Sequence, residues 1–257
     1  MTRGPAVEDY SNQFIATLLV SLRIAPAFAF SPPFTLLRVP ALVRLMLSVS
    51  LAAWLVSGHP GETWQVDFWA PGLFVTALGE LLLGVGLSLA LQLAFAALLT
   101  VGRAFDIQAG FGLSMLLDPT TRAQVPLAGT LFAYAAAAIF FATDGPADML
   151  AIWAASIAQV PLGTAGIGGD LAALTGYMSA IFVLAFGAGG LLMLVLFVLD
   201  IAISLMSRTM PQMNVLLLGF QVKTLAMLIV LPIAITLSGA LFLRMIRYAL
   251  ETAIELI

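Results

Sequence analysis

Two long apolar runs near the C-terminal end, 171–199 and 224–243, are separated by the polar stretch Arg208-Thr209-Met210-Pro211-Gln212-Met213-Asn214-Val215, which closes at Gly219-Phe220. Pro211 lacks an N–H and disfavours helix at Met210, so the pattern predicts a break there. Gln212 and Asn214 can hydrogen-bond the backbone groups that the break exposes. The pair of runs therefore reads as a helical hairpin with its tip at 208–220. From the residues alone the tip is a polar turn.

Earlier in the chain the apolar pattern is less regular. The first run, 12–37, carries Arg23 in its middle and Pro26, Pro32 and Pro33 behind it, which predicts an interrupted helix. A central arginine costs about 2.5–3.5 kcal/mol on insertion scales unless it is paired or lies in a polar cavity. A short apolar helix is expected over 45–58, then a wet connection over 59–78 with Trp64 and Trp69 as interfacial residues. Gly79-Glu80 is expected to open the next span, 81–102, which contains no charge. Glu80, Gly84 and Ser88 form one row spaced by four, and Gly86, Ala90 and Ala94 form a second. Small residues at that spacing let helices approach closely in a membrane. Glu80 is read as a helix-end carboxylate favoured by the dipole, or as a buried carboxylate facing a pore.

Segment 106–122 is too polar at its ends to span and too apolar between Gly110 and Leu117 to be an ordinary exposed loop. Gly110 and Gly112 give freedom on both sides of Phe111, and Asp118-Pro119 marks a turn. Such a loop packs into a cavity or against a partner, as a re-entrant structural loop or as a gating element. Helices are expected over 123–143 and 149–160, separated by the turn at Asp144-Gly145-Pro146. The run 171–199 exceeds the ~20 residues a bilayer needs and carries Gly187, Gly189 and Gly190 at its centre, which predicts a long helix that is bent or tilted. Asp200 is expected to pair locally with Arg208. A last helix is expected over 223–243, leading into an amphipathic tail with Glu251 and Glu255.

Composition then fixes the class as an integral membrane protein or the apolar core of a membrane complex, and with the helical runs above the expected fold is all-α and multi-helix, with long bent helices and helical hairpins. The 257 residues are 9% charged and 62% hydrophobic, against about 25% charged for a soluble domain. A soluble globule cannot hide that much apolar surface, so lipid or other apolar chains must cover it. The net charge of −3 comes without a basic tract, so nucleic acid is not expected as a partner. Zero cysteines exclude disulfides and thiolate chemistry, and the lone His59 argues against a histidine-based metal site. No nucleophile elbow, two-histidine motif or evident carboxylate pair is found, so no enzyme, cofactor or metal is expected. A secondary transporter using Arg23, Glu80 or Asp200 as ion sites is the competing class, but it calls for an internal repeat that the sequence lacks. The positive-inside rule puts the loop at His59 and the turn at Asp144 outside. It then fails at the C-terminal end, where Arg208/Lys223 and Arg244/Arg247 flank a single apolar run.

The stretch Arg208-Thr-Met-Pro-Gln-Met-Asn-Val with Gly219-Phe220 resembles the signature of the FliR/SctT family of type III secretion export-gate subunits. Val39-Pro40…Arg44, Gly79-Glu80…Gly84, Gly110-Phe-Gly…Asp118-Pro119, Asp144-Gly145 and Pro161-Leu-Gly163 fall in the family's order, so the resemblance covers essentially the whole chain. At Asp144-Gly145-Pro146-Ala147 the chain departs from the family, which often has a histidine or basic residue after the glycine.

The resemblance implies a FliP-like helical part, 1–170, and a FliQ-like helical hairpin, 171–257. It implies a subunit of the flagellar export gate in the bacterial inner membrane and flagellar basal body, forming and gating the channel for unfolded substrates. The virulence injectisome is the alternative setting. Implied partners are FliP-like and FliQ-like subunits, FlhB, FlhA and membrane lipid. By the same resemblance, Gly110, Phe111, Gly112, Leu113, Met115, Leu116, Leu117, Asp118 and Pro119 belong to the channel plug. Arg208, Met210, Pro211, Gln212, Met213, Asn214 and Gly219 belong to a hairpin tip that meets partners. Arg23, Glu80 and Asp200 are the intramembrane charges.

Overall fold

The computed structural model describes residues 5–37, 39–63, 72–111, 126–165, 171–209 and 215–255. Those residues form an all-α chain of ten helices: α1 (Pro5–Phe30), α2 (Ala41–Gly58), α3 (Pro60–Thr63), α4 (Leu73–Gln108), α5 (Leu127–Ala142), α6 (Gly145–Gln159), α7 (Leu171–Ala188), α8 (Gly190–Thr209), α9 (Val215–Leu237) and α10 (Gly239–Glu255). Five are long and apolar enough to cross a membrane, and α5 with α6 makes a sixth if that bent pair is one span. The protein is thus an all-α integral membrane protein.

The described chain divides into two compact units. One unit takes residues 1–93, 141–177 and 247–257, and holds α1, α2, α3, α6 and the first half of α4. Its core is aliphatic and aromatic: Leu19, Val20, Ile24, Leu55 and Ile157 are almost wholly enclosed, and Phe28 stacks against Phe34 and Trp153 at centroid distances of 4.8 and 5.7 Å. The other unit takes residues 94–140 and 178–246, and holds the second half of α4 with α5, α8 and α9. There the Phe132 ring lies between Phe105 and Phe242, at 6.2 and 5.8 Å. Gly102 and Gly129 let α4 and α5 touch, since a Cβ at Gly102 would lie 2.1 Å from the Gly129 Cα.

Several elements differ from the sequence pattern, each for a physical reason. Helix α1 runs unbroken through Pro26 to Phe30. Beyond the proline the helix lasts barely one more turn, and Arg44 on α2 donates to the carbonyls of Phe28 and Ala29 at 3.3 and 3.0 Å, so a partner satisfies its open end. Helix α4 starts at Leu73, just after Gly72 at φ 83°, and not at Gly79, so Glu80 lies inside a helix and is no helix-end carboxylate. Its 36 residues make about 54 Å at ~1.5 Å per residue, well beyond the ~30 Å of a hydrocarbon core.

The run 171–199 is split at Gly189, where a Cβ would fall 2.0 Å from the Phe105 ring. The C-terminal helix is likewise split at Ser238, whose hydroxyl donates to the Ala188 carbonyl at 2.6 Å, so the two breaks answer each other. Helix α10 is strongly amphipathic: Phe242, Met245, Ile246, Ala249 and Leu250 are buried, while Arg244, Arg247 and Glu251 are exposed.

Candidate functional site

In the first unit Arg23 and Glu80 form an ion pair with no exposed side-chain surface. The Arg23 Nε donates to Glu80 Oε2 at 2.7 Å. Its Nη1 donates to the Ser156 carbonyl at 2.7 Å and to the Ser156 hydroxyl at 3.2 Å, and its Nη2 to the Val160 carbonyl at 3.1 Å. Ser156 lies in the last turn of α6 and Val160 follows that helix, so the guanidinium also caps a helix C-terminus, where positive charge is favoured. Glu80 Oε1 accepts the Gly163 N–H at 3.1 Å. The pair therefore joins α1, α4 and the end of α6. Glycines make the approach possible: a Cβ at Gly84 would lie 2.2 Å from the Arg23 carbonyl oxygen, and one at Gly79 would lie 2.8 Å from that of Ala165. The strong donors and acceptors of the pair are engaged by protein.

In the second unit the structure brings together the base of the 106–122 segment and the arm of the C-terminal hairpin. Helix α4 ends in a glycine cap. Phe111 N–H donates to the Asp106 carbonyl at 3.0 Å, Gly110 N–H donates to the Ile107 carbonyl at 3.1 Å, and Gly110 stands at φ 97°. Gly110 is therefore required by the helix terminus, a more specific role than loop freedom. The Phe220 ring on α9 covers Gly110 so closely that a Cβ there would lie 2.4 Å from Phe220 Cδ1. One turn along α9, Thr224 Oγ1 donates to the Ala109 carbonyl at 3.4 Å. Helix α5 is tied to the same place: Ala128 N–H, in its first turn, donates to Asp106 Oδ1 at 3.1 Å. Asp106 is only 6% exposed, and its carboxylate caps the N-terminus of α5 from another helix.

The hairpin itself consists of α8 and α9, which end and restart at Thr209 and Val215. Gly219 is buried, and a Cβ on it would meet Ile203 of α8 at 3.2 Å. Asp200 pairs with Lys223 of α9 and not with Arg208. Arg208 is eight residues further along α8, about 12 Å up the helix axis, whereas Lys223 is on the facing antiparallel arm. Arg208 is exposed in the last turn of α8, a position suited to a cation.

Of the residues expected in the plug, Gly110 and Phe111 are placed as above, and Gly112, Leu113, Met115, Leu116, Leu117, Asp118 and Pro119 lie outside the described residues. Of the hairpin tip, Arg208 and Gly219 are placed, and Met210, Pro211, Gln212, Met213 and Asn214 lie outside them. Arg122, the basic residue at the far end of the 106–122 segment, also lies outside the described residues, and Asp106 accepts the Ala128 N–H. Sequence reasoning missed the contacts of Lys223, Thr224, Ser156 and Gly163, although Gly163 stood in the Pro161-Leu-Gly163 motif. Lys223 carried a signal of its own, as the cation within the second hairpin arm.

The chain matches the family model described as bacterial export proteins, family 1, over residues 14–249. It is 27% identical over 245 residues to the flagellar biosynthetic protein FliR of Bacillus subtilis, covering 93% of each chain. It is 25% identical to FliR of Escherichia coli, over 86% of this chain and 81% of that protein. With FliR of Aquifex aeolicus it shares 27% identity, over 88% of each.

Proposed function

The chain belongs to the bacterial export proteins, family 1, and from that premise we propose that it is a subunit of the flagellar type III export gate, forming and gating a channel for unfolded substrates. Its place is the bacterial inner membrane at the flagellar basal body. Its role is structural, with no chemistry of its own. FliP-like and FliQ-like subunits would cover its apolar faces, and FlhB and FlhA would meet it at the inner entrance. The two-part organisation at 1–170 and 171–257 belongs to the same proposal. The flagellar names of its relatives favour the flagellum over the virulence injectisome.

The observation that carries this reading is the contact between the base of the 106–122 segment and the hairpin arm, Gly110 against Phe220 and Ala109 against Thr224. A segment held at its root by both Asp106 and α9 is suited to act as a plug. In the plug itself, Phe111, Leu113, Met115, Leu116 and Leu117 would form an apolar constriction that stops ions by excluding water. Methionine there would conform to varied chains. The secondary-transporter alternative loses support because Arg23 and Glu80 are committed to fixed contacts with each other and with α6.

The test is deletion of residues 111–117 in cells that make the whole apparatus. The complex should still assemble, recovered in mild detergent with its partner subunits, while the membrane becomes permeable to small ions. A deletion complex as ion-tight as wild type overturns the plug reading, and a functional monomer in liposomes would restore the transporter.

A further inference from the structure

We propose that Phe220 and Thr224 are positioning residues, through which the α8–α9 hairpin sets the place of the turn at Ala109-Gly110-Phe111. The proposal rests on the export-gate reading and adds to it how a force on the hairpin reaches the base of the plug. Helix α9 presents two adjacent faces. Gly219 and Lys223 face α8, the first packed on Ile203 and the second paired with Asp200, so the two arms are held as one piece. Phe220 and Thr224, each one residue further on, share the neighbouring face because they are four apart. That face holds the end of α4: the Phe220 ring lies on Gly110, and the Thr224 hydroxyl reaches the Ala109 carbonyl.

The turn they hold is closed by hydrogen bonds. Ala109 N–H bonds the Phe105 carbonyl at 2.8 Å, and Gly110 and Phe111 complete the helix cap. A turn bonded in this way follows its support, so the position of α9 sets the position of Phe111. A partner pressing on the free end of the hairpin would act through this contact. The contact is also one that no side chain can share, since any Cβ at Gly110 overlaps the ring and takes a positive φ.

The chain has no cysteine, so a single Ser114→Cys gives a clean maleimide probe just beyond the turn. In the assembled complex, Phe220→Ala with Thr224→Val should raise its labelling rate several-fold while the amount of complex stays near wild type. Gly110→Ala should lower secretion, and adding Phe220→Ala should recover part of it, because the ring is then gone although the strained φ remains. Should the alanine variant fail to assemble, Phe220→Leu with Thr224→Val keeps part of the bulk at the site and should give a smaller rise in labelling in the same direction. A labelling rate unchanged in an assembled variant, with no recovery in the Gly110→Ala pair, overturns the coupling. If deletion of residues 111–117 leaks ions but these variants label as wild type, the coupling alone fails. If the deletion does not leak, the plug reading has failed first.

Discussion

Arg23 and Glu80, 57 positions apart, meet at 2.7 Å with both side chains fully enclosed, and the same guanidinium closes the end of α6. Removing one partner of a buried pair strands the other charge, at a cost of about 3–5 kcal/mol. Arg23→Met should be the more damaging change, because it strands Glu80 and also uncovers the Ser156 and Val160 carbonyls. Glu80→Gln should be milder, since the amide oxygen still accepts from Arg23. Arg23→Lys should fall between, keeping the charge and losing the fork. The measurement is the yield and thermal stability of the assembled complex. Loss of secretion from a fully assembled, equally stable Glu80→Gln complex would show a working charge and not a structural one.

Gly84 and Gly86 lie in different rows of small residues on α4, and the structure separates their roles. A Cβ at Gly84 would press on the Arg23 backbone at 2.2 Å, whereas one at Gly86 meets nothing within 4 Å. Backbone cannot move aside as a side-chain tip can, so Gly84→Ala should force α1 and α4 apart and cut assembly sharply. Gly86→Ala should be neutral, or stabilising by up to about 1 kcal/mol from helix propensity. Detergent-solubilised complex yield for the two variants side by side decides the matter.

Asp200 and Lys223 tie the hairpin arms within an otherwise apolar surface, where Phe197 and Leu205 are 55% and 58% exposed. Asp200→Leu or Lys223→Leu alone leaves a lone charge among apolar groups, which costs about 2.5–3.5 kcal/mol on insertion scales if it stays at membrane depth. The double variant removes both charges and should recover most of the membrane-inserted protein. Equal losses in the singles and the double would mean that the pair does not act as a pair.

Much of the fold was legible because hydrocarbon runs and proline breaks follow from local chemistry. The hairpin break between Thr209 and Val215 and the turn at Asp144 fall where Pro211 and Gly145-Pro146 predict them. What local chemistry cannot give is the identity of partners far away in sequence. Glu80 read as a helix end because Gly79 is a plausible start, yet Gly72 already turned the chain and the apolar residues from Leu73 onward extended the helix past it. Asp200 read as a partner of Arg208 because both were near in sequence, but the antiparallel arm brings Lys223 closer. At Pro26 the expected interruption did not occur; the helix continues for one more turn to Phe30, where α2 supplies Arg44 to the carbonyls of Phe28 and Ala29. Of the candidate site, the two important stretches were visible as anomalies of composition. Their meeting through Gly110 and Phe220 was not, since nothing in either stretch specifies the other.

Asp106 offers the clearest test of how the proposed plug is rooted. Its carboxylate stands at the last turn of α4 and accepts the N–H of Ala128 in the first turn of α5, so one side chain closes the two ends of the intervening chain. Helix N-termini lose about 0.5–2 kcal/mol when an oxygen cap is replaced by alanine. Asp106→Asn keeps an acceptor oxygen in the same place and should remain close to wild type in assembly and ion tightness. Asp106→Ala removes the acceptor, so the start of α5 should fray and the ends of the segment should part. With both variants assembled to similar levels, the alanine form should conduct ions at rest and the asparagine form should not. Membrane conductance, or salt sensitivity of growing cells, reads the difference. If Asp106→Ala assembles and stays tight, the cap is dispensable and the segment is held by α9 alone.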